Sequence, residues 1–207
     1  MERLMKTLAA AVIVVTGISV AGCTTIVTSA AQKAWEDRST EDQVTDAKIT
    51  TGIIDGMTDI DKGLLLDVAV DVWEQRVMLT GTLDSTKARN AVDALAKGDN
   101  RVKALYNEIQ VVTTAEVEAR REQAKKKDEE EEGGAVNDFW LETKIKAQLL
   151  TSGGVNSVNY FWRSVRGTVY IVGRSGTTAE RDKVLATIRG TEGVKGVKSF
   201  IQIIPVS

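Results

Sequence analysis

The chain has 207 residues and a net charge of −2, and it contains no histidine and one cysteine. A protein without histidine has no imidazole general base and lacks a side chain on which most zinc sites depend, and no glycine-rich phosphate loop opens a helix here. The composition therefore predicts a protein that is not an enzyme, with no catalytic residue, no metal site and no cofactor.

Residues 1–22 have the pattern of an export signal. A basic start is followed by an apolar run, residues 7–20, which is too short to span a bilayer. Residues 20–23 read VAGC, which resembles the lipobox of bacterial lipoproteins. The resemblance implies cleavage before Cys23, a diacylglycerol on its sulfur and an acyl chain such as palmitate on its new amino group. The alternative is an ordinary secretory signal with an incidental cysteine.

Residues 23–40 are predicted to form a lipidated tether. Each buried CH₂ contributes about 0.8 kcal/mol, so three acyl chains make a stable anchor. In bacterial lipoproteins an Asp directly after the cysteine favours retention in the inner membrane, and this chain has Thr24 there. The sequence therefore predicts a protein anchored in the outer membrane and facing the periplasm.

An internal repeat follows the tether, in residues 41–113 and 135–207. We align the segment 48–54 with 144–150, because both have the same helical spacing of apolar residues. Further along the chain, 77–81 aligns with 169–173, where each segment has the pattern Val-x-Leu/Ile-x-Gly. The repeat predicts two small domains of the same fold, joined by a linker at 114–134.

Each repeat has the pattern of a helix, two strands, a helix and a strand. The first helices are predicted to bury three apolar residues each: Ile49, Ile53 and Met57 in the first repeat, and Leu141, Ile145 and Leu149 in the second. In the first strands, apolar residues alternate with others at Leu66, Val68, Val70 and Val72, and at Val158, Tyr160 and Trp162. The remaining elements are strands at 76–82 and 168–174, helices from Ser85 to Ala96 and from Thr177 to Ile188, and strands at 103–112 and 197–205. The prediction is an α+β fold, with two helices covering one face of a three-stranded sheet.

These patterns, with Asn107-Glu108-Ile109 in the last strand of the first repeat, resemble the BON domain. The arrangement of two such repeats after a lipobox is similar to the dual BON-domain outer-membrane lipoproteins. The resemblance implies binding of phospholipid, preferably anionic, by the first helix of the second domain. It also implies a role in envelope integrity and an association with outer-membrane protein assembly.

The linker is rich in charge. Glu116 with Arg120, and Glu122 with Lys126, have the i,i+4 spacing that supports a helix, and an acidic tract follows at 128–132. We interpret the linker as a solvated spacer. The alternatives for the acidic tract are a partner-binding segment and a weak Ca²⁺ site.

The two repeats differ in charge. Residues 41–113 have 8 basic and 13 acidic side chains, a net charge of −5, whereas residues 135–207 have 10 basic and 5 acidic side chains, a net charge of +5. A basic domain on a membrane-anchored chain indicates an anionic partner. Outside the cytoplasm, phospholipid headgroups fit this chemistry better than nucleic acid.

The first helix of the second repeat is predicted to have an exposed apolar stripe opposite its buried face. Such a stripe beside lysines is typical of a surface that lies in a membrane interface. The candidate phospholipid-binding residues are Phe139, Trp140, Lys144, Lys146, Ala147 and Leu150. The alternative is that Phe139 or Trp140 packs against the first repeat or the linker.

The other sheet face also has aromatic residues. Trp73, Phe161 and Tyr170 are predicted to point away from the helices, where they either join the two repeats or receive another protein. The sequence thus supports two functions: a module that binds anionic phospholipid, and a protein-interaction factor for outer-membrane protein assembly that acts through the first domain or the open sheet faces.

Overall fold

The computed structural model describes residues 36–125 and 138–205. The predicted export signal, the lipidation site Cys23, the start of the tether and the acidic tract at 128–132 lie outside the described residues. The prediction of a pair between Glu122 and Lys126 also falls there in part, because Lys126 is not described.

The first domain has the predicted order of elements with one addition. A short helix, α2, comes between the first long helix and the first strand. The elements are α1 (Thr40–Ile60), α2 (Leu64–Asp67), β1 (Val68–Trp73), β2 (Arg76–Leu83), α3 (Thr86–Gly98) and β3 (Ala104–Val111). β1 and β2 pair antiparallel, and β2 and β3 pair parallel, so β2 is the central strand.

A further helix, α4 (Thr114–Lys125), occupies part of the predicted linker. The second domain then repeats the plan of the first, with a 3₁₀ turn (Ser157–Asn159) in place of α2. Its elements are α5 (Asp138–Thr151), β4 (Tyr160–Val165), β5 (Thr168–Ser175), α6 (Thr178–Gly190) and β6 (Gly196–Ile203). The sheet order is β4-β5-β6, with the same pairing directions.

The second helix of each domain begins where the sequence predicts. Ser85 and Thr177 each cap a helix, because their hydroxyls accept backbone N–H groups of the first turn, and Ser39 does the same for α1. The apolar residues that we assigned to the first helices are buried, and they pack on one face of each sheet. The two-layer α+β prediction is confirmed for both domains.

The predicted start of the first strand is wrong in both repeats. Leu66 lies in α2 and is exposed, and Val158 lies in the 3₁₀ turn. Each strand begins two residues later, at Val68 or Tyr160. The alternating apolar pattern begins before the strand does, because the short helical segment that precedes the strand also has apolar residues.

Our alignment of the two first helices is also wrong, by four residues. Asp46 accepts the backbone N–H groups of Glu74 and Gln75 in the β1–β2 turn, and Asp138 accepts those of Arg166 and Gly167 in the β4–β5 turn. Together with the strand pairs, these bonds place equivalent positions 92 residues apart throughout. A shift of about one helical turn preserves the apolar face, so periodicity alone could not detect it.

The two sheets pack against each other through the faces that the helices leave uncovered. Trp73 and Tyr170 are buried there, and the ring of Phe161 lies 5.4 Å from that of Trp73 in an edge-to-face contact. The apolar centre of this interface consists of Trp73, Met78, Val165, Tyr170 and Val172, with Tyr106, Phe161 and Phe200 at its edge. The aromatic residues therefore join the two repeats, and the sheet faces are not open to another protein.

α4 is not a solvated spacer, because it contacts both domains. Val117 is buried, Arg121 pairs with Asp67 at 2.8 Å, and Arg120 pairs with Asp138 at 2.7 Å. Glu116 pairs with Arg166 at 3.0 Å instead of forming the predicted pair with Arg120.

Candidate functional site

The outer face of α5 presents the predicted apolar stripe. Phe139, Trp140 and Leu150 are 37%, 39% and 62% exposed, although each is a large apolar residue. The rings of Phe139 and Trp140 lie 5.7 Å apart at an interplanar angle of 69°. Ala147 and Thr143 are exposed between them and Leu150. Several large apolar side chains exposed on one helix face of a small domain are typical of a binding surface.

Two lysines lie on either side of this stripe. Lys144 lies on the side of α5 near Glu192, which follows α6, and Lys146 lies one turn after Glu142, which bonds to Ser164 of β4. Lys144 lies 3.7 Å from the carboxylate of Glu192, and both side chains are exposed. Long lysine side chains can reach past an apolar surface toward phosphate oxygens. The arrangement can therefore place apolar groups in a lipid interface and cations among headgroups.

The inner face of α5 holds the helix firmly. Leu141, Ile145 and Leu149 are fully buried on the sheet. The carboxylate of Asp138 accepts hydrogen bonds from the hydroxyl of Ser164 and from two backbone N–H groups of the β4–β5 turn. Burial alone would raise the pKa of Asp138, but these bonds and the nearby Arg120 outweigh it and lower the pKa. The helix thus presents its stripe on a rigid support.

Glu142 connects α5 with the domain interface. Its carboxylate accepts the backbone N–H of Ser164 at 2.8 Å and lies 3.9 Å from Arg163, which itself pairs with Asp71 of the first domain. The indole N–H of Trp162 donates to the backbone carbonyl of Glu142. Burial raises the pKa of the Glu142 carboxyl, and the attraction of Arg163 opposes that effect.

Several basic side chains of the second domain lie at its contacts with the first domain and α4, which the sequence did not predict. Four of its ten basic side chains form ion pairs with the first domain or with α4: Arg163, Arg166, Arg174 and Lys198. The opposite net charges of the repeats therefore reflect their mutual contact in part. The lysines of α5 are not among these four residues, so the argument for an anionic partner depends on them and not on net charge.

The first domain has no equivalent of the stripe. At positions 92 residues earlier, Ala47, Lys48, Asp55 and Thr58 correspond to Phe139, Trp140, Ala147 and Leu150. None of the four is a large apolar residue. The alignment from the hydrogen bonds and strand pairs therefore separates the two helices more clearly than the alignment from periodicity, which places Ile54 opposite Leu150.

Within residues 36–125 and 138–205, no helix is both long enough and apolar enough to cross a membrane. Over the same residues, no cluster of three potential ligands among His, Cys, Asp and Glu could hold a metal ion.

Fold and surface together define a protein built from two copies of one small α+β domain. The family model of the BON domain matches residues 45–113 and 137–205. The chain therefore belongs to the BON-domain family, and it carries two BON domains in tandem.

Two relatives resemble most of the chain. An uncharacterized protein in the gshII 5′ region of Anaplasma centrale is 31% identical over 68% of this chain and 84% of its own length. The outer membrane lipoprotein DolP of Haemophilus influenzae is 24% identical over 84% of this chain and 81% of its own length. Among solved structures, the C-terminal domain of CdsD, a structural protein of the type III secretion system of Chlamydia trachomatis, aligns with 75% of this chain and 96% of its own at 10% identity and a TM-score of 0.31.

Proposed function

We propose that this chain is a lipoprotein of the outer membrane, acylated at Cys23, that binds anionic phospholipid through α5 of its second BON domain and supports the integrity of the envelope. The similarity to an outer membrane lipoprotein supports the location. The observation that carries the binding site is the exposed stripe of Phe139, Trp140 and Leu150 on the side of α5 opposite its buried residues.

The chemistry of this surface suits a membrane interface. Trp is enriched at the boundary between headgroups and acyl chains, and apolar area removed from water contributes about 25 cal/mol per Å². Lys144 and Lys146 add an attraction to anionic headgroups of about 1 kcal/mol each, which salt screens. An acyl anchor holds the chain at the membrane, so a weak contact by α5 is sufficient to orient it.

The test is binding of the unacylated chain, Cys23→Ala, to vesicles. It should sediment with vesicles that contain phosphatidylglycerol or cardiolipin and much less with phosphatidylcholine vesicles. Leu150→Glu should weaken this binding at least tenfold without changing the circular dichroism spectrum, because Leu150 is exposed. Normal binding by that variant would contradict the proposed surface.

The first domain supplies the matched control. Thr58→Glu makes the same charge change at the equivalent position of α1, so it should leave vesicle binding nearly unchanged. Trp140→Ala and its counterpart Lys48→Ala form a second pair, in which only the first substitution should weaken binding to phosphatidylglycerol. If Thr58→Glu weakens binding as much as Leu150→Glu does, the effect is general electrostatics and not the stripe.

A further inference from the structure

The interface between the two domains has an approximate two-fold relation. Asp71 of β1 and Arg163 of β4 occupy equivalent positions 92 residues apart, and they pair with each other through two hydrogen bonds of 2.8 and 2.9 Å. In a two-fold interface, a residue on the axis meets its own equivalent. One domain therefore contributes an anion, and the other a cation, at the same position of the fold.

The β3–β6 side of the interface shows the same relation. The ring of Tyr106 stacks on that of Phe200 at 4.0 Å, and Glu108 pairs with Lys198 at 2.6 Å. Lys198 is the equivalent of Tyr106, and Phe200 is the equivalent of Glu108. Position 106 of the first domain therefore contacts the equivalent of position 108 in the second domain, and position 108 contacts the equivalent of position 106. A two-fold axis between two identical units produces such reciprocal contacts.

A third ion pair also joins opposite charges across the interface. Glu74 of the first domain pairs with Arg174 of the second at 3.3 Å. The equivalent of Glu74 in the second domain is Arg166. If two second domains met through this surface, Arg174 would face Arg166, and Arg163 would face its own copy. If two first domains met, Asp71 would face Asp71.

We propose that opposite charges at equivalent positions select the pairing of the first sheet face with the second, and reject the pairing of either face with a copy of itself. Burial of apolar surface is non-directional, so the apolar centre of the interface discriminates less between these arrangements than the charges do. Like charges that meet in a partly buried contact oppose the wrong combinations. The partner that fits the second-domain face is therefore the first-domain face of the same chain, and copies of the protein that lie side by side remain separate.

The test uses two variants of the unacylated chain, Cys23→Ala. In each variant, the two sheet faces carry the same charge at the centre of the interface. Asp71→Arg places two guanidinium groups at the centre, and Arg163→Asp places two carboxylates there. Both chains also carry Glu142→Gln, because Glu142 lies 3.9 Å from Arg163 and would repel a new carboxylate at that position. The chain with Glu142→Gln alone is the control, and it should remain a monomer.

Each variant alone should be a monomer in light scattering. An equimolar mixture should form a complex of twice the monomer mass, because each face then meets one of opposite charge in the other chain. The proposal fails if the mixture keeps the monomer mass, or if either variant dimerises alone to the same extent.

Distances within one chain provide a measurement that does not depend on association. In the Cys23→Ala chain, Asp55→Cys and Ala186→Cys place the only two cysteines on exposed helix surfaces, one in each domain, for spin labels. Glu108→Lys or Lys198→Glu should broaden the distance distribution, and the double exchange should restore the parent distribution. These substitutions lie at the edge of the interface, so they test whether opposite charges hold the two faces together even if the central variants do not fold. A double exchange as broad as the single variants would overturn it.

Discussion

The first helices of the two domains have the same inner face and different outer faces. α1 and α5 each bury three apolar residues on a sheet and each place an aspartate against the turn between two strands. Their outer sides differ in the large apolar residues: α5 has Phe139, Trp140 and Leu150, and α1 has Ala47, Lys48 and Thr58 at those positions. Folding constrains the inner face alone, so the apolar outer face of α5 needs a reason beyond stability.

The largest loss of stability is expected for a substitution on the inner face of α5, at Leu149, which is directly followed by a residue of the outer face. Leu149→Glu puts an unpaired carboxylate in a fully buried site and should cost at least about 4 kcal/mol, which unfolds the second domain. Leu150→Glu, one residue later, should change stability by less than about 0.5 kcal/mol. Thermal unfolding followed by circular dichroism measures both. Equal losses would show that the outer face of α5 also supports the fold.

The equivalent aspartates allow a second comparison. Asp46→Ala should cost about 3 kcal/mol, because it leaves the buried guanidinium of Arg38 without one of its two carboxylate partners. Asp138→Ala should cost less, roughly 1 to 2 kcal/mol, since its partner Arg120 is partly exposed and water can replace the lost bond. Urea unfolding of both variants checks the order. A larger loss for Asp138→Ala would contradict this explanation.

The order of elements could be predicted from the sequence because the signals are local. Apolar residues at helical spacing, Ser85 and Thr177 before the second helices, and the Val-x-Leu/Ile-x-Gly strands each lie within a few residues. The structure shows why this strand needs glycine at the last position of the pattern. A Cβ at Gly81 would lie 1.9 Å from the carbonyl oxygen of Asp67, and one at Gly173 would lie 2.2 Å from that of Asn159.

The contacts between the domains could not be predicted in the same way. The sequence indicates which residues lie on the outer sheet face, but not which surface meets them. Net charge suggested an external anionic partner for the second repeat, whereas Arg163, Arg174 and Lys198 pair with the first domain. The exposed stripe of α5 was predicted correctly as a surface because it depends only on the position of the buried face of the same helix.

Glu142 distinguishes α5 from α1 by its response to pH. Its pKa is raised by burial, so its contribution favours the folded state fully below its ordinary value of 4.5 and is lost as pH rises through the folded pKa. Glu142→Gln should therefore be slightly more stable than the parent at pH 7, by less than about 0.5 kcal/mol. The difference should vanish near pH 4, as urea unfolding at both pH values would show. A Glu142→Gln chain that is less stable at pH 7 would indicate that the attraction of Arg163 outweighs burial.

The smallest expected effect concerns Glu192, which has no counterpart contact in α1. Glu192 lies 3.7 Å from Lys144, and both side chains are exposed, so the pair contributes at most about 1 kcal/mol. Glu192→Gln frees Lys144 for phosphate and should tighten binding to phosphatidylglycerol vesicles by less than about fivefold. Asp59→Asn removes the same charge from the exposed surface of α1 and serves as the control. If Asp59→Asn tightens binding equally, net charge governs the interaction, and the position of Lys144 beside the stripe has no special role.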